Sequence, residues 1–152
     1  DTLAIVGAGA QEVDVVFPYR DFAAAPALLQ AVRQACPGLR LKVILESSDL
    51  GTPALVAQAS RIALAEGADF LKTSTGKTPR GATPGAARVM LQAIAADPRA
   101  AARVGFKASG GVRSVADAAV YIDMLESIPA TPARTSKRRS SISIRPRARF
   151  PN

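Results

Sequence analysis

Histidine is absent from this sequence. Its absence excludes Ser-His-Asp and Cys-His catalysis and leaves a transition-metal site only carboxylates and one thiol as ligands, so none is expected. Acid–base chemistry therefore falls to Lys, Asp, Glu, Tyr or water. The single cysteine, Cys36, cannot close an internal disulfide. Its position at the end of an apparent helix, before Pro37-Gly38, suits a packing thiol better than a nucleophile. No apolar run approaches the roughly 20 residues that span a bilayer, and the opening DTLAIVGAGA lacks the basic head and long apolar centre of a secretory signal. The expectation is a soluble, cytoplasmic protein with no membrane partner.

Acidic residues are missing from one region only. Residues 129–152 carry 7 Lys/Arg and no acid, whereas residues 1–128 carry 13 Lys/Arg against 12 Asp/Glu. The net charge of +8 thus belongs almost wholly to the tail. That tail, PATPARTSKRRSSISIRPRARFPN, shows no hydrophobic period and has prolines that interrupt helix or central strand, so residues 129–152 read as disordered. Phe150 is its only aromatic residue, which leaves non-specific attraction to polyanions as its one route to nucleic acid. Residues 1–128, in a chain that is 48% hydrophobic, suffice for one domain with one core.

Within that domain four apolar runs of strand type recur: EVDVVF (12–17), LKVILE (41–46), DFLKTS (69–74) and RVGFK (103–107). Each precedes a turn and an alanine-rich amphipathic segment, a cadence that predicts parallel strands with covering helices. Asp14, Lys42, Lys72 and Lys107 are spaced by 28, 30 and 35 residues, the length of a strand, a crossover helix and two loops. Thr52-Pro53, Thr83-Pro84 and Ser114 mark helix starts for 52–66, 83–96 and 114–127, and Gly9 and Gly67 mark helix stops. A weak repeat aligns GAQEVDVV (9–16) with GADFLKTS (67–74), placing Asp14 opposite Lys72 in the alignment. Alternation puts Lys72 on the same side of its strand as Phe70 and Ser74. A charge in the middle of a covered strand is costly unless a site uses it.

The stretch FLKTSTGKTPRG (70–81) ends its first half in GKT, as a phosphate loop does, but the glycine required five positions before Gly76 is Leu71. A nucleotide loop is excluded on that ground. Lys72 suits nucleophilic chemistry instead. A lysine amine attacks a carbonyl only when unprotonated, which burial or a neighbouring cation favours, and Lys107 on the next strand is such a cation. Asp14, two strands away, could pass protons to and from a substrate through a water. Spacing alone fits equally a set of paired, solvated strand-end charges. Gly110-Gly111, between the Lys107 strand and the Ser114 helix, could offer amides to a phosphate, with Gly76 and Lys77 as a second edge; an ordinary turn has the same composition.

EVDVVFPYR, LKVILE, GADFLKTSTGK and GFKASGGVR, in this order and spacing, resemble the deoxyribose-phosphate aldolases, class I aldolases with a TIM-barrel fold. The resemblance runs from about residue 2 to residue 127 and makes residues 1–128 a partial (β/α)8 barrel of about four parallel strands. It implies Lys72 as the Schiff-base lysine, Lys107 as the lysine that keeps it unprotonated, and Asp14 as the proton relay. It further implies Gly76, Lys77, Gly110 and Gly111 at the phosphate end of the pocket, with Lys42 in a supporting electrostatic role. The implied reaction is reversible cleavage of 2-deoxy-D-ribose 5-phosphate to acetaldehyde and D-glyceraldehyde 3-phosphate, with no cofactor. The resemblance finds the family's fourth to seventh strands and not the others, so the chain is expected to be a truncated member, with the break in pattern after Ile128 suggesting a shifted reading frame. Such a wall would leave sheet edges and apolar helix surface uncovered, favouring a homo-oligomer. The competing expectation is an inactive remnant whose basic tail binds polyanions, or a structural fragment that pairs with another copy.

Overall fold

The computed structural model describes residues 2–128; Asp1 and residues 129–152, where the expectation of a disordered tail falls, lie outside the described residues. In chain order the elements are α1 (Thr2–Gly7), β1 (Glu12–Val16), α2 (Ala25–Ala35), β2 (Arg40–Ile44), α3 (Ser47–Leu50), α4 (Pro53–Ala65), β3 (Phe70–Lys72), α5 (Pro84–Ala96), α6 (Pro98–Ala101), β4 (Gly105–Lys107) and α7 (Val115–Ser127). The strands form one parallel sheet in the order β1-β2-β3-β4. A helix joins each strand to the next, so the described residues form a wall of consecutive βα units of the kind that closes into a barrel when eight are present.

The helix boundaries follow from the caps. Thr52 and Thr83 adopt extended backbone and accept from the amides of Leu55 and Ala86, and the proline after each occupies a position that needs no donor. Ser114 and Asp117 form a capping box at α7. Helix faces are set by three- and four-residue spacing: α4 buries Val56, Ala59, Ser60, Ala63 and Leu64, and α5 buries Ala87, Met90, Leu91 and Ile94. The strands are shorter at their carboxyl ends than the apolar runs suggest. β2 yields at Leu45 because Glu46 turns left-handed (φ 53°), and β3 yields after Lys72 where the chain swings out to bond the next loop.

Register divides the sheet into two faces. Val15, Val43, Leu71 and Phe106 are aligned across it, as are Val13 and Leu41, and these side chains pack under the helices in the main core. The opposite face carries Asp14, Lys42, Phe70 and Gly105 in one row and Val16, Ile44, Lys72 and Lys107 in the next. Gly105 is forced by its neighbour in that first row: a Cβ there would lie 2.3 Å from the Phe70 ring. At the amino-terminal end of the strands, Arg33 pairs with Asp69 at 2.9 Å and also donates to the Cys36 and Leu39 carbonyls, tying α2 to β3. Cys36 is fully buried there, donating its thiol to the Val32 carbonyl, which is the packing role its position suggests.

Candidate active site

The polar face of the sheet converges on three lysines. Lys42, Lys72 and Lys107 are 5%, 9% and 6% exposed, so all three ammonium stems are enclosed although each belongs to a strand. Lys72 and Lys107 are direct register partners on adjacent parallel strands, which run about 4.8 Å apart, so both side chains leave the sheet side by side.

Asp14 binds two of the three. Its Oδ2 accepts from Lys72 Nζ at 2.7 Å and its Oδ1 accepts from Lys42 Nζ at 3.3 Å. Asp14 is level with Lys42 in the register, and Lys72 stands one pleat further along, so the carboxylate reaches diagonally past β2 to the Lys72 amine. Lys42 also donates to Glu12, forming a chain Glu12–Lys42–Asp14–Lys72 across three strands. Burial by itself pushes the Asp14 carboxyl up. The hydrogen bond and charge of Lys72, joined by those of Lys42, outweigh burial and hold it below the usual carboxylate range. Glu12 is lowered as well, first by its hydrogen bond from Lys42. Asp14 is thus an ionised carboxylate at neutral pH, in contact with the Lys72 amine.

The loops at the carboxyl end of the strands make the second half of the site. Gly76, Gly110 and Gly111 all take left-handed φ near 80°, which non-glycine residues adopt only at a cost. Gly81 meets Gly110 backbone to backbone, with room for no Cβ: one added to Gly81 would fall 2.5 Å from the Gly110 carbonyl carbon. The Ala82 amide donates to the carbonyls of Ser109 and Gly110, and Thr73 and Ser74 hydroxyls both donate to the Ser109 carbonyl. The two loops are therefore knit together, bringing Gly76 and Gly110 to one rim. Lys77 is exposed beside them. Among the described residues no acceptor takes the amides of Gly110 or Gly111. A separate cleft of about 240 Å³ lies outside this rim between α4 and α5, lined by Ser47, Thr52, Val56, Arg80, Thr83 and Val89, and none of the three lysines reaches it.

The residues proposed from the sequence for the site lie on the polar face and the rim: Asp14 and Lys42 in mid-strand, Lys72 and Lys107 at the carboxyl ends of β3 and β4, and Gly76, Lys77, Gly110 and Gly111 on the loops that follow. Two carboxylates were not foreseen. Glu12 needed the register, since its strand position reads as a surface charge. Glu46 needed its backbone angle: it is 3% exposed and accepts from the Thr75 amide and the Thr78 hydroxyl, at a left-handed φ that costs a non-glycine residue about 1–3 kcal/mol. The available signal was a glutamate closing the apolar run LKVIL, where a strand facing a site ends.

The profile of the DeoC/LacD family aldolases matches residues 2–126. The chain belongs to that family. It is 48% identical over 136 residues to the deoxyribose-phosphate aldolase of Agrobacterium fabrum, an alignment that covers 86% of this chain and 51% of that protein. Among solved structures, the aldolase QR15 superposes with a TM-score of 0.70 at 32% identity, covering 81% of this chain and 55% of the other. The tetrameric deoxyribose phosphate aldolase of Aeropyrum pernix superposes at 0.61 with 30% identity, covering 81% and 51%. The chain thus spans about half the length of the aldolases it matches. No helix among the described residues is long and apolar enough to cross a membrane.

Proposed function

We propose that this chain carries the amine chemistry of a deoxyribose-phosphate aldolase, cleaving 2-deoxy-D-ribose 5-phosphate reversibly to acetaldehyde and D-glyceraldehyde 3-phosphate. The observation that carries the reading is a lysine buried at the carboxyl end of an interior strand, Lys72, with a carboxylate at 2.7 Å and a second lysine beside it in register. Enclosing two lysine amines on one carboxylate, with a third buried lysine on the next strand, costs each its hydration, a cost that a site using these groups explains.

In this reading Lys72 Nζ attacks the open-chain C1 aldehyde and Asp14 takes a proton from the attacking nitrogen. Asp14 returns that proton to the carbinolamine oxygen, and with a second proton from solvent the oxygen leaves as water to give a protonated imine. The proton of the C3 hydroxyl is removed through a water held by Asp14, and the C2–C3 bond breaks. Its electron pair moves to C2 and is delocalised towards the iminium nitrogen as an enamine, releasing D-glyceraldehyde 3-phosphate. Protonation of the enamine at C2 and addition of water to the imine carbon release acetaldehyde and restore the amine. Lys107, in register with Lys72 on the next strand, has the place of the second lysine in this reading. Lys42 holds the Asp14 carboxylate in place. The amides of Gly110 and Gly111, the Gly76 turn and the Lys77 charge take the 5-phosphate.

The same reading assigns the protein to deoxyribonucleotide catabolism in the cytoplasm, with no cofactor, and to self-association as the means of covering the outer edges of β1 and β4. Release of acetaldehyde from deoxyribose 5-phosphate tests it. The parent chain is expected to turn over, and Lys72→Ala is expected to fall by a factor on the order of 10⁴ or to background. Equal release by the variant would overturn the assignment.

A further inference from the structure

Glu46 sits at the hinge between the amine and the phosphate rim, and its geometry is that of a device for holding the latter. β2 and β3 continue side by side past their last paired residues, with the Leu45 amide donating to the Lys72 carbonyl and the Ser47 amide to the Thr73 carbonyl, both at 2.9 Å. Glu46 lies between these two bonds. It is the only non-glycine residue with positive φ among the described residues. It occupies the N-cap position of α3, where a carboxylate ordinarily bonds the first amides of its own helix, yet its side chain makes no capping bond.

Instead the carboxylate turns into the loop that follows Lys72. Both of its oxygens accept from the Thr75 amide, at 3.3 and 3.2 Å, and Oε1 lies 3.2 Å from the Thr78 hydroxyl, whose single proton it shares with the Arg80 carbonyl at 2.9 Å. These contacts bracket Gly76 and Lys77 on either side. Further ties confine the same stretch: the Gly76 amide donates to the Ser74 hydroxyl and the Lys77 amide to the Thr75 hydroxyl. A strained backbone and an enclosed charge combine here in the service of one loop, which is where fold-imposed strain usually has a role beyond packing.

We infer that Glu46 is a positioning residue that fixes the Thr75–Thr78 loop, and with it Gly76 and Lys77, at the distance from Lys72 that a phosphorylated substrate spans. It acts through the loop, since a carboxylate in direct contact with a phosphate would repel it. Glu46 therefore governs phosphate affinity and leaves the chemistry of the amine alone. The inference rests on the proposed reading of the loop as a phosphate site, and its test separates the two.

Two variants are informative. Glu46→Gly removes the tether while accepting the left-handed backbone, so no strain is added. Glu46→Gln retains one carbonyl acceptor for the Thr75 amide and is expected to lie between parent and glycine variant. Binding of inorganic phosphate to the 152-residue chain is measured by titration, beside borohydride trapping of acetaldehyde at Lys72. The expected result is phosphate affinity weakened about tenfold or more in Glu46→Gly, a smaller loss in Glu46→Gln, and undiminished trapping at Lys72. Phosphate affinity equal to the parent in both variants overturns the inference, as does a parent that binds no phosphate. Loss of trapping together with phosphate binding also overturns it, because Glu46 would then act on the amine. If no form traps acetaldehyde but phosphate affinity still depends on Glu46, the inference stands and the proposed reaction falls.

Discussion

Asp14 holds the centre of the charge network, bonded to Lys72 at 2.7 Å and to Lys42 at 3.3 Å, and its removal should be felt twice. In catalysis, Asp14→Asn keeps the shape and loses the proton acceptor, so the rate of imine formation is expected to fall about 10²-fold or more, read by the rate of borohydride-trapped product. In stability, the folded state holds this carboxyl below its unfolded value. The Asp14 contribution is therefore complete above the unfolded carboxylate range and is lost as pH falls through the lower, folded value. Urea unfolding should show the parent more stable than Asp14→Asn at pH 7, with the gap closing as pH drops below about 4. A gap independent of pH would contradict an ionised Asp14 carboxylate. At this scale the sequence was readable for Lys72, Lys107 and Asp14 because each interrupts an apolar run, and a charge in a covered strand demands a reason. Glu46 left only the weak signal of a glutamate closing the apolar run LKVIL, and its left-handed, inward-turned conformation is not encoded in ILESS. The direct contact of Asp14 with Lys72 was hidden, since it depends on a diagonal reach across β2 that spacing does not encode.

Among elements, the helices behave as their caps dictate. Thr83→Ala removes the acceptor for the Ala86 amide and is expected to cost about 1 kcal/mol, measured by urea or thermal unfolding. Gly81→Ala tests the junction of the two rim loops. An added Cβ would lie 2.5–2.7 Å from Gly110 backbone atoms, so the loops must part, at an expected cost of about 1–3 kcal/mol and with weakened phosphate binding. A variant as stable as the parent, with the same phosphate affinity, would show that the loops are not packed this way. The helix positions were legible because Thr-Pro and Ser-x-x-Asp carry their mechanism in the sequence. The strand ends were less so: Thr73 and Ser74 continue the β-type composition of β3, but their hydroxyls bond the Ser109 carbonyl and draw the chain out of the ladder. The short helices α3 and α6 left no periodic signal, being one turn each.

At the largest scale, among the described residues β1 and β4 each have one neighbour in the sheet, and Val16 on β1 and Val115 on α7 are 41% and 87% exposed. Open strand edges with apolar side chains nearby favour association. Sedimentation velocity should show a sedimentation coefficient that rises with concentration; a monomer at every concentration would contradict this. The parallel βα order of this wall was legible from the recurrence of apolar runs, and the family from four motifs in sequence, because both are local patterns repeated at regular spacing. How the wall's amine site is enclosed is a property of the assembled chain, and one experiment addresses it most directly. The 152-residue chain is incubated with acetaldehyde, reduced with borohydride and digested, and the added mass is located by peptide mass spectrometry, with Lys72→Ala alongside. The account predicts an ethyl adduct confined to Lys72 and absent from the variant. Labels scattered over many lysines, or none at Lys72, would contradict it.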